Sequence, residues 1–156
     1  MMQVRLFKPE DVEQIAWLFH NTVRKVNIKD YSEQQVIAWS PEDVYFRDWQ
    51  AVCSSRYTYV AEEDGQIIGF GELEPNGHID CFYVDYQHQG CGVGSKIYRV
   101  IETKARELNL TRLFAEASIS AKAFFIGRGF EVVKQQQVIC RQEKFINYLV
   151  IKVLSY

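Results

Sequence analysis

Apolar positions along the chain repeat in two periods, and the change between them separates a helical beginning from a sheet-rich remainder. After a short alternating stretch, QVRLFKP, the residues Val12, Ile15, Ala16, Leu18, Phe19 and Val23 recur at helical spacing behind Pro9-Glu10-Asp11. That pattern predicts a strand followed by an amphipathic helix. YSEQQVIAW predicts a second helix with Ser32 as its N-cap, and SPEDVYFRDWQAV a third short helix or an aromatic-rich loop. The period then drops to two. YTYVAEEDGQIIGFGELEPNGHIDCFYV reads as three strands divided by Asp64-Gly65 and Asn76-Gly77, both strong hairpin signals. GCGVGSKIYRVIETKARELN is helical again, with Ile97, Val100, Ile101, Ala105 and Leu108 on one face. TRLFAEAS predicts a strand, SAKAFFIGRG a short helix stopped by Gly129, and FEVVKQQQVI with EKFINYLVIKVL a closing strand pair. The order predicts one mixed α/β (α+β) domain over residues 1–156, a central twisted sheet of about seven mostly antiparallel strands flanked by about four helices.

Composition narrows the function. Among 156 residues, 47% are hydrophobic and 14% aromatic, enough for a real core. A formal net charge of -2 lacks the basic excess of a general nucleic-acid binder, so no nucleic-acid partner is expected. No apolar run reaches membrane-span length, and MMQVRLFKPEDVEQ carries charges where a secretion signal would be apolar. Cys53, Cys81, Cys91 and Cys140 form no Cys-x-x-Cys pair, so neither a metal site nor a disulfide framework is expected. These features predict a cytoplasmic protein with reduced thiols.

The densest chemical signal is glycine. Gly90, Gly92 and Gly94 fall within five positions, although the chain holds only 9 glycines. They follow an apolar strand and open a helix. A tight connection needing positive φ is one explanation. The other is anion binding, because a helix start leaves backbone N–H groups unpaired and its dipole favours negative charge. A P-loop is excluded, since Gly94-Ser95-Lys96 has the wrong order; the dinucleotide fingerprint is excluded because Ser95 replaces its last glycine.

Gln87-His88-Gln89-Gly90-Cys91-Gly92 does fit Gln/Arg-x-x-Gly-x-Gly/Ala, directly after HIDCFYV. Together with ASISAKAFFIGRGF, it resembles the GCN5-related N-acetyltransferase superfamily, and the element order agrees over nearly the whole chain. The resemblance implies acetyl-CoA as co-substrate, its pyrophosphate on the amides of Gln89, Gly90, Cys91, Gly92, Val93, Gly94 and Ser95. It places the pantetheine arm along Phe82, Tyr83 and Val84 like an added strand, with an N–H near Val84 polarising the thioester carbonyl. Ser120 and Phe124 would flank the cofactor. Lys96 and Arg99 would steer phosphate or simply solvate a helix face.

The implied activity is direct transfer of an acetyl group to a primary amine of a small molecule or protein, within a ternary complex. One position departs from the family: Phe125 stands where its usual acid, a tyrosine, belongs. Tyr83 or water would then protonate the thiolate, or the chain is a non-catalytic acyl-CoA-binding or sensing module. Glu72 and Asp80 are the first candidates for the base, ahead of Glu74; solvent-facing or cross-strand-paired carboxylates are the alternative. Strict alternation would put Asp80 on one face with His78, Phe82 and Val84, and Glu72 on the other with Phe70 and Glu74. His78 reads as a hairpin residue. Cys91 at the helix start is a conceivable nucleophile, but loop packing accounts for it better. Tyr31, Trp39, Tyr45, Phe46 and Trp49, interleaved with Asp30, Glu33, Glu42 and Asp43, suit either a cationic acceptor or the core of a helical pair. Exposed end strands leave room for a homodimer.

Overall fold

The computed structural model describes residues 1–156. Strands β1 (Gln3–Leu6), β2 (Tyr57–Glu63), β3 (Gln66–Leu73) and β4 (Ile79–Val84) pair antiparallel in that order. Strands β5 (Arg112–Ser118), β6 (Glu131–Cys140) and β7 (Glu143–Val153) form a separate antiparallel sheet in the order β5-β7-β6. Helices α1 (Val12–Lys25), α2 (Glu33–Trp39) and α3 (Trp49–Ser54) precede β2; α4 (Val93–Glu107) and α5 (Lys122–Ile126) flank β5. The mixed α/β order and the seven strands agree with expectation, with five α-helices where about four were expected and the strands divided between two sheets.

The division has a local cause. β4 and β5 run parallel and touch through a single bridge, His78 opposite Phe114. There the Phe114 N–H donates to the Gly77 carbonyl at 3.0 Å, after which no ladder joins the two strands. The sheets therefore meet at one end and part toward the other.

Helices cover both faces. Ile97, Ile101 and Ala105 of α4 pack with Ile68, Leu73, Ile79, Leu113 and Phe125 on one side. Ile15, Phe19 and Val23 of α1 pack with Val36, Trp49, Phe70 and Phe145 on the other. The apolar stripe predicted for α1 is the face it buries. Ser32 caps α2 as expected, accepting from the Gln35 N–H at 3.1 Å. The β2–β3 turn places Asp64 at φ 53° and Gly65 at φ 79°, the left-handed pair that matches strand twist.

One irregularity redirects side chains at the centre. Gly71 pairs with Phe82 and Leu73 with Ile79, so Glu72 alone faces both Asp80 and Cys81. This β-bulge breaks the expected alternation along β4. Phe82 and Val84 pack on the α4 side, whereas Asp80 turns toward the guanidinium groups that hold Glu72.

Gly77 carries the junction of the sheets. Its φ is +96°, and an added Cβ would lie 2.3 Å from the Arg112 carbonyl oxygen. Gly65 has φ +79° but open space around the same position. Gly65→Ala should therefore cost only backbone strain, about 1 kcal/mol. Gly77→Ala adds a backbone clash and should cost about 3 kcal/mol or more, read as the difference between their urea unfolding curves.

Candidate functional site

The parting of β4 and β5 leaves a wedge-shaped cavity of about 290 Å³. β4 supplies Asp80, Phe82, Tyr83 and Val84; β5 supplies Glu116 and Ser118; the glycine loop and the α5 region close the rest. Of the residues expected to hold the cofactor, Phe82, Tyr83, Val84, Gln89, Gly90, Gly92, Val93, Gly94, Ser95, Ser120 and Phe124 all line it. Cys91 does not: it is exposed, with its sulfur 3.6 Å from the Gln89 carbonyl oxygen. His88 is turned to Asp85, Nδ1 to Oδ2 at 2.8 Å, which leaves Cys91 without an adjacent base.

The three clustered glycines serve two purposes. Gly90 and Gly92 have φ of +73° and +82°, and nothing lies within 4 Å of where their Cβ atoms would be. Gly94 has an ordinary backbone, but its Cβ would come within 2.9 Å of Phe124. So two glycines turn the chain, and the third lets α4 approach α5. The Lys96 N–H makes the first helical bond, to Gly92, at 3.2 Å. No main-chain N–H from Gln89 to Ser95 has an acceptor within the protein. Bunched donors at a helix mouth favour an anion. Arg128 adds full positive charge: its guanidinium stacks 3.8 Å from the Phe124 ring centroid and hydrogen-bonds Ser95 Oγ. Lys96 and Arg99 are exposed and lie outside the cavity wall.

On β4 the main-chain directions follow from the ladder. The Asp85 N–H bonds the Ile68 carbonyl at 2.9 Å. Antiparallel pairing alternates, so Tyr83 sends its main-chain groups to β3 while Phe82 and Val84 send theirs into the wedge. The Val84 carbonyl accepts from Thr22 Oγ1 at 3.0 Å and Gln89 Nε2 at 2.7 Å, which ties α1 and the loop to the strand.

The expected catalytic residues separate. Tyr83 and Asp80 line the wedge; Glu72 does not. Glu72 is fully buried, accepting from Arg47 at 3.1 Å and Arg56 at 3.0 Å. Burial raises its pKa against the pull of those guanidinium groups. The same arginines reach Asp80 at 3.4 and 2.6 Å, and Arg47 donates to the Cys81 sulfur at 2.8 Å. Glu72, Asp80 and Cys81 gather within 4.8 Å, the spacing of a cation site, but the arginines already supply the positive charge there. Tyr83 stacks on Phe70 and accepts from Trp39 Nε1 at 3.2 Å; burial pushes its phenol well above the usual range. Phe125 is buried against Phe82, Phe124 and Phe130.

A second cavity, about 240 Å³, adjoins the first. Tyr83, Trp39, Glu116 and Ser118 line both. Tyr31, Val138, Cys140, Phe145 and Asn147 complete the second. Among the N-terminal aromatics, Tyr31 and Trp39 reach it, Phe46 and Trp49 pack into the core, and Tyr45 is exposed. Asp30 accepts from the Ser120 hydroxyl at 2.8 Å, while Glu33, Glu42 and Asp43 are exposed. The helical-pair expectation therefore describes most of that segment.

Sequence reasoning passed over Glu116, Ser118 and Arg128. Glu116 occupies the outward face of an alternating strand whose Leu113, Ala115 and Ala117 are buried. A carboxylate there reads as solvated. Its partner gives it significance: His78, expected only to shape a hairpin, lies between Glu74 and Glu116 and stacks on Phe114.

The model of the acetyltransferase (GNAT) domain family matches residues 27–147. The uncharacterized N-acetyltransferase YafP of Escherichia coli (strain K12) is 32% identical over 148 residues, 94% of this chain and 93% of its own. A GCN5-related N-acetyltransferase structure from Rhodopseudomonas palustris superposes with a TM-score of 0.91 at 29% identity, covering 97% of this chain and 95% of its own. The PaiA N-acetyltransferase of Thermoplasma acidophilum, solved with coenzyme A, gives a TM-score of 0.78 at 14% identity over 99% of each chain. The putative acetyltransferase YncA of Salmonella typhimurium, solved with acetyl-CoA, gives 0.71 at 18% identity over 100% of this chain and 95% of its own. The last two likenesses concern the fold.

His78 carries a pH dependence. The hydrogen bond to Glu116, helped by Glu74, raises its pKa to about 9 despite burial, and Glu116 is lowered in return. A folded-state value above the unfolded one, about 6.5, stabilises the native state fully below that pH. The contribution is lost as pH rises through about 9. His78→Gln should lack this loss: between those limits the wild type should give up roughly 1–2 kcal/mol, after screening at the half-exposed carboxylates, that the variant does not. Chemical denaturation at stepped pH measures the difference.

Proposed function

The chain belongs to the GNAT acetyltransferase family, and from that premise we propose that it transfers the acetyl group of acetyl-CoA directly to a primary amine. The observation that carries the reading is the run of unpartnered N–H groups from Gln89 to Ser95 at the mouth of α4. The residues present suit a nucleotide thioester. The amides and Arg128 would hold the diphosphate, Gly90 and Gly92 leave room for it, and the free edge of β4 would pair with the amide-bearing arm. The thioester, when bound, supplies an activated acyl group with a thiol as leaving group.

The remaining chemistry belongs to the chain. An N–C bond forms and an S–C bond breaks; the bound ammonium gives one proton to solvent before attack, nitrogen loses a second as the adduct collapses, and sulfur takes up one. Val84, whose N–H points into the wedge, would polarise the acyl carbonyl. Glu116, at the meeting of the two cavities and kept ionised by His78, would hold the ammonium and pass its proton to water. Asp80 is the second carboxylate of the wedge, though two guanidinium groups already hold it. Glu72 would anchor that network without touching substrate. Tyr83 takes the acid role left by Phe125: its raised pKa keeps the phenol protonated until thiolate charge develops. The second cavity would receive the acceptor.

Phe125 also favours a different reading, an acyl-CoA-binding module without turnover. Both readings require stabilisation by acetyl-CoA, roughly 2.7 kcal/mol at a hundredfold excess over Kd, diminished in Arg128→Ala. Only the enzyme releases free thiol when an amine is added. Tyr83→Phe should lower kcat by about 100-fold while thermal shifts still register acetyl-CoA. Absence of any thermal shift in the wild type sinks both.

A further inference from the structure

We infer that the second cavity selects a compact, apolar primary amine without a carboxylate, an alkylamine or arylalkylamine, through Tyr31, Trp39 and Phe145. The inference rests on the acetyl-transfer reading and adds the class of acceptor to it. Three rings build the wall. Tyr31 and Trp39 meet edge to face at 5.3 Å, Trp39 and Phe145 at 6.0 Å, and Tyr31 lies 5.8 Å from Phe145.

Their polar ends are already engaged. The Tyr31 hydroxyl donates to the Ile146 carbonyl at 2.8 Å and accepts from the Ile119 N–H at 2.9 Å. Trp39 Nε1 donates to the Tyr83 hydroxyl. The three aromatic side chains therefore offer an entering tail ring surface and no free donor, and Asn147, whose buried Oδ1 has no partner, is the unpaired amide of the wall. That surface favours apolar groups, and aromatic walls tolerate a cation at their edge.

Charge selects the head group. Glu116 is the one ionic side chain of the lining, and no lysine, arginine or histidine is among the lining residues. His78 pairs with Oε2 of Glu116 and leaves Oε1 toward other partners. An ammonium at the junction meets its complement there. A carboxylate on the same molecule would be desolvated without one. Because Glu116, Tyr83 and Ser118 border both cavities, the reacting nitrogen belongs at that junction and the tail runs toward Val138 and Cys140. A second ammonium in the tail, as in a polyamine, would meet no second carboxylate there, only the Asn147 amide oxygen.

Thiol release from acetyl-CoA, measured with phenethylamine, hexylamine, phenylalanine and spermidine, tests the inference. The two monoamines should exceed phenylalanine and spermidine in kcat/KM by about 100-fold, the scale of rejecting an unpaired charge. Val138→Arg, a change on a half-exposed strand, places a cation in the cavity. It should narrow the gap between phenethylamine and phenylalanine by about tenfold or more. Glu116→Gln should raise the amine KM. Equal or better turnover of phenylalanine or spermidine overturns the acceptor class and leaves acetyl transfer standing. Stabilisation by acetyl-CoA with no turnover of any of the four overturns it as well. If acetyl-CoA gives no stabilisation, the transferase reading fails, and titration of tryptophan fluorescence decides on the cavity alone. Saturable quenching by phenethylamine but not phenylalanine, weakened in Val138→Arg, supports selection; its absence overturns it.

Discussion

The structure depends on a parting of two neighbouring strands. β4 and β5 share one bridge, His78 with Phe114, and then diverge. Parallel neighbours in a continuous sheet would consume each other's main-chain groups. Here those of Phe82 and the N–H of Val84 stay available, and the gap becomes the wedge. Two devices hold the apex. Gly77 lets the hairpin approach Arg112 more closely than any side chain permits, and His78 joins carboxylates from both sheets.

Beneath the wedge, the bulge opposite Glu72 turns electrostatics into positioning. A fully buried carboxylate without partners would be prohibitively costly, and Arg47 and Arg56 answer it from different segments. Arg47 comes from the loop before α3, Arg56 from the approach to β2. Both also grip Asp80, so the loop before α3 is tied to the strand that borders the wedge.

Much of this was legible in the chain. Helical and alternating periods located most elements, because α1, α4 and β5 each bury one face; α3 stayed open between helix and loop, and β3 is buried on both faces. The glycine loop was legible because its backbone needs are unusual and local. Three things were not. The opening between β4 and β5 arises from the absence of a ladder, and no residue pattern encodes an absence. The bulge at Asp80-Cys81 inserts one extra residue where strict alternation assumes none. Glu116 and Arg128 acquire their roles only from partners distant in sequence, His78 and Ser95, so their local context looked like ordinary solvated surface.

The β6–β7 hairpin is asymmetric in its duties. Near β5 it completes a sheet; farther out it is a two-stranded arm, and only Val138, Cys140, Phe145 and Asn147 of the pair reach the second cavity. None of them borders the amide-lined mouth of α4. If the second cavity receives the amine as proposed, the arm can be rewritten residue by residue, retuning which amine is admitted while the mouth of α4 goes untouched. Such a layout lets one scaffold acquire new clientele through drift in a single hairpin.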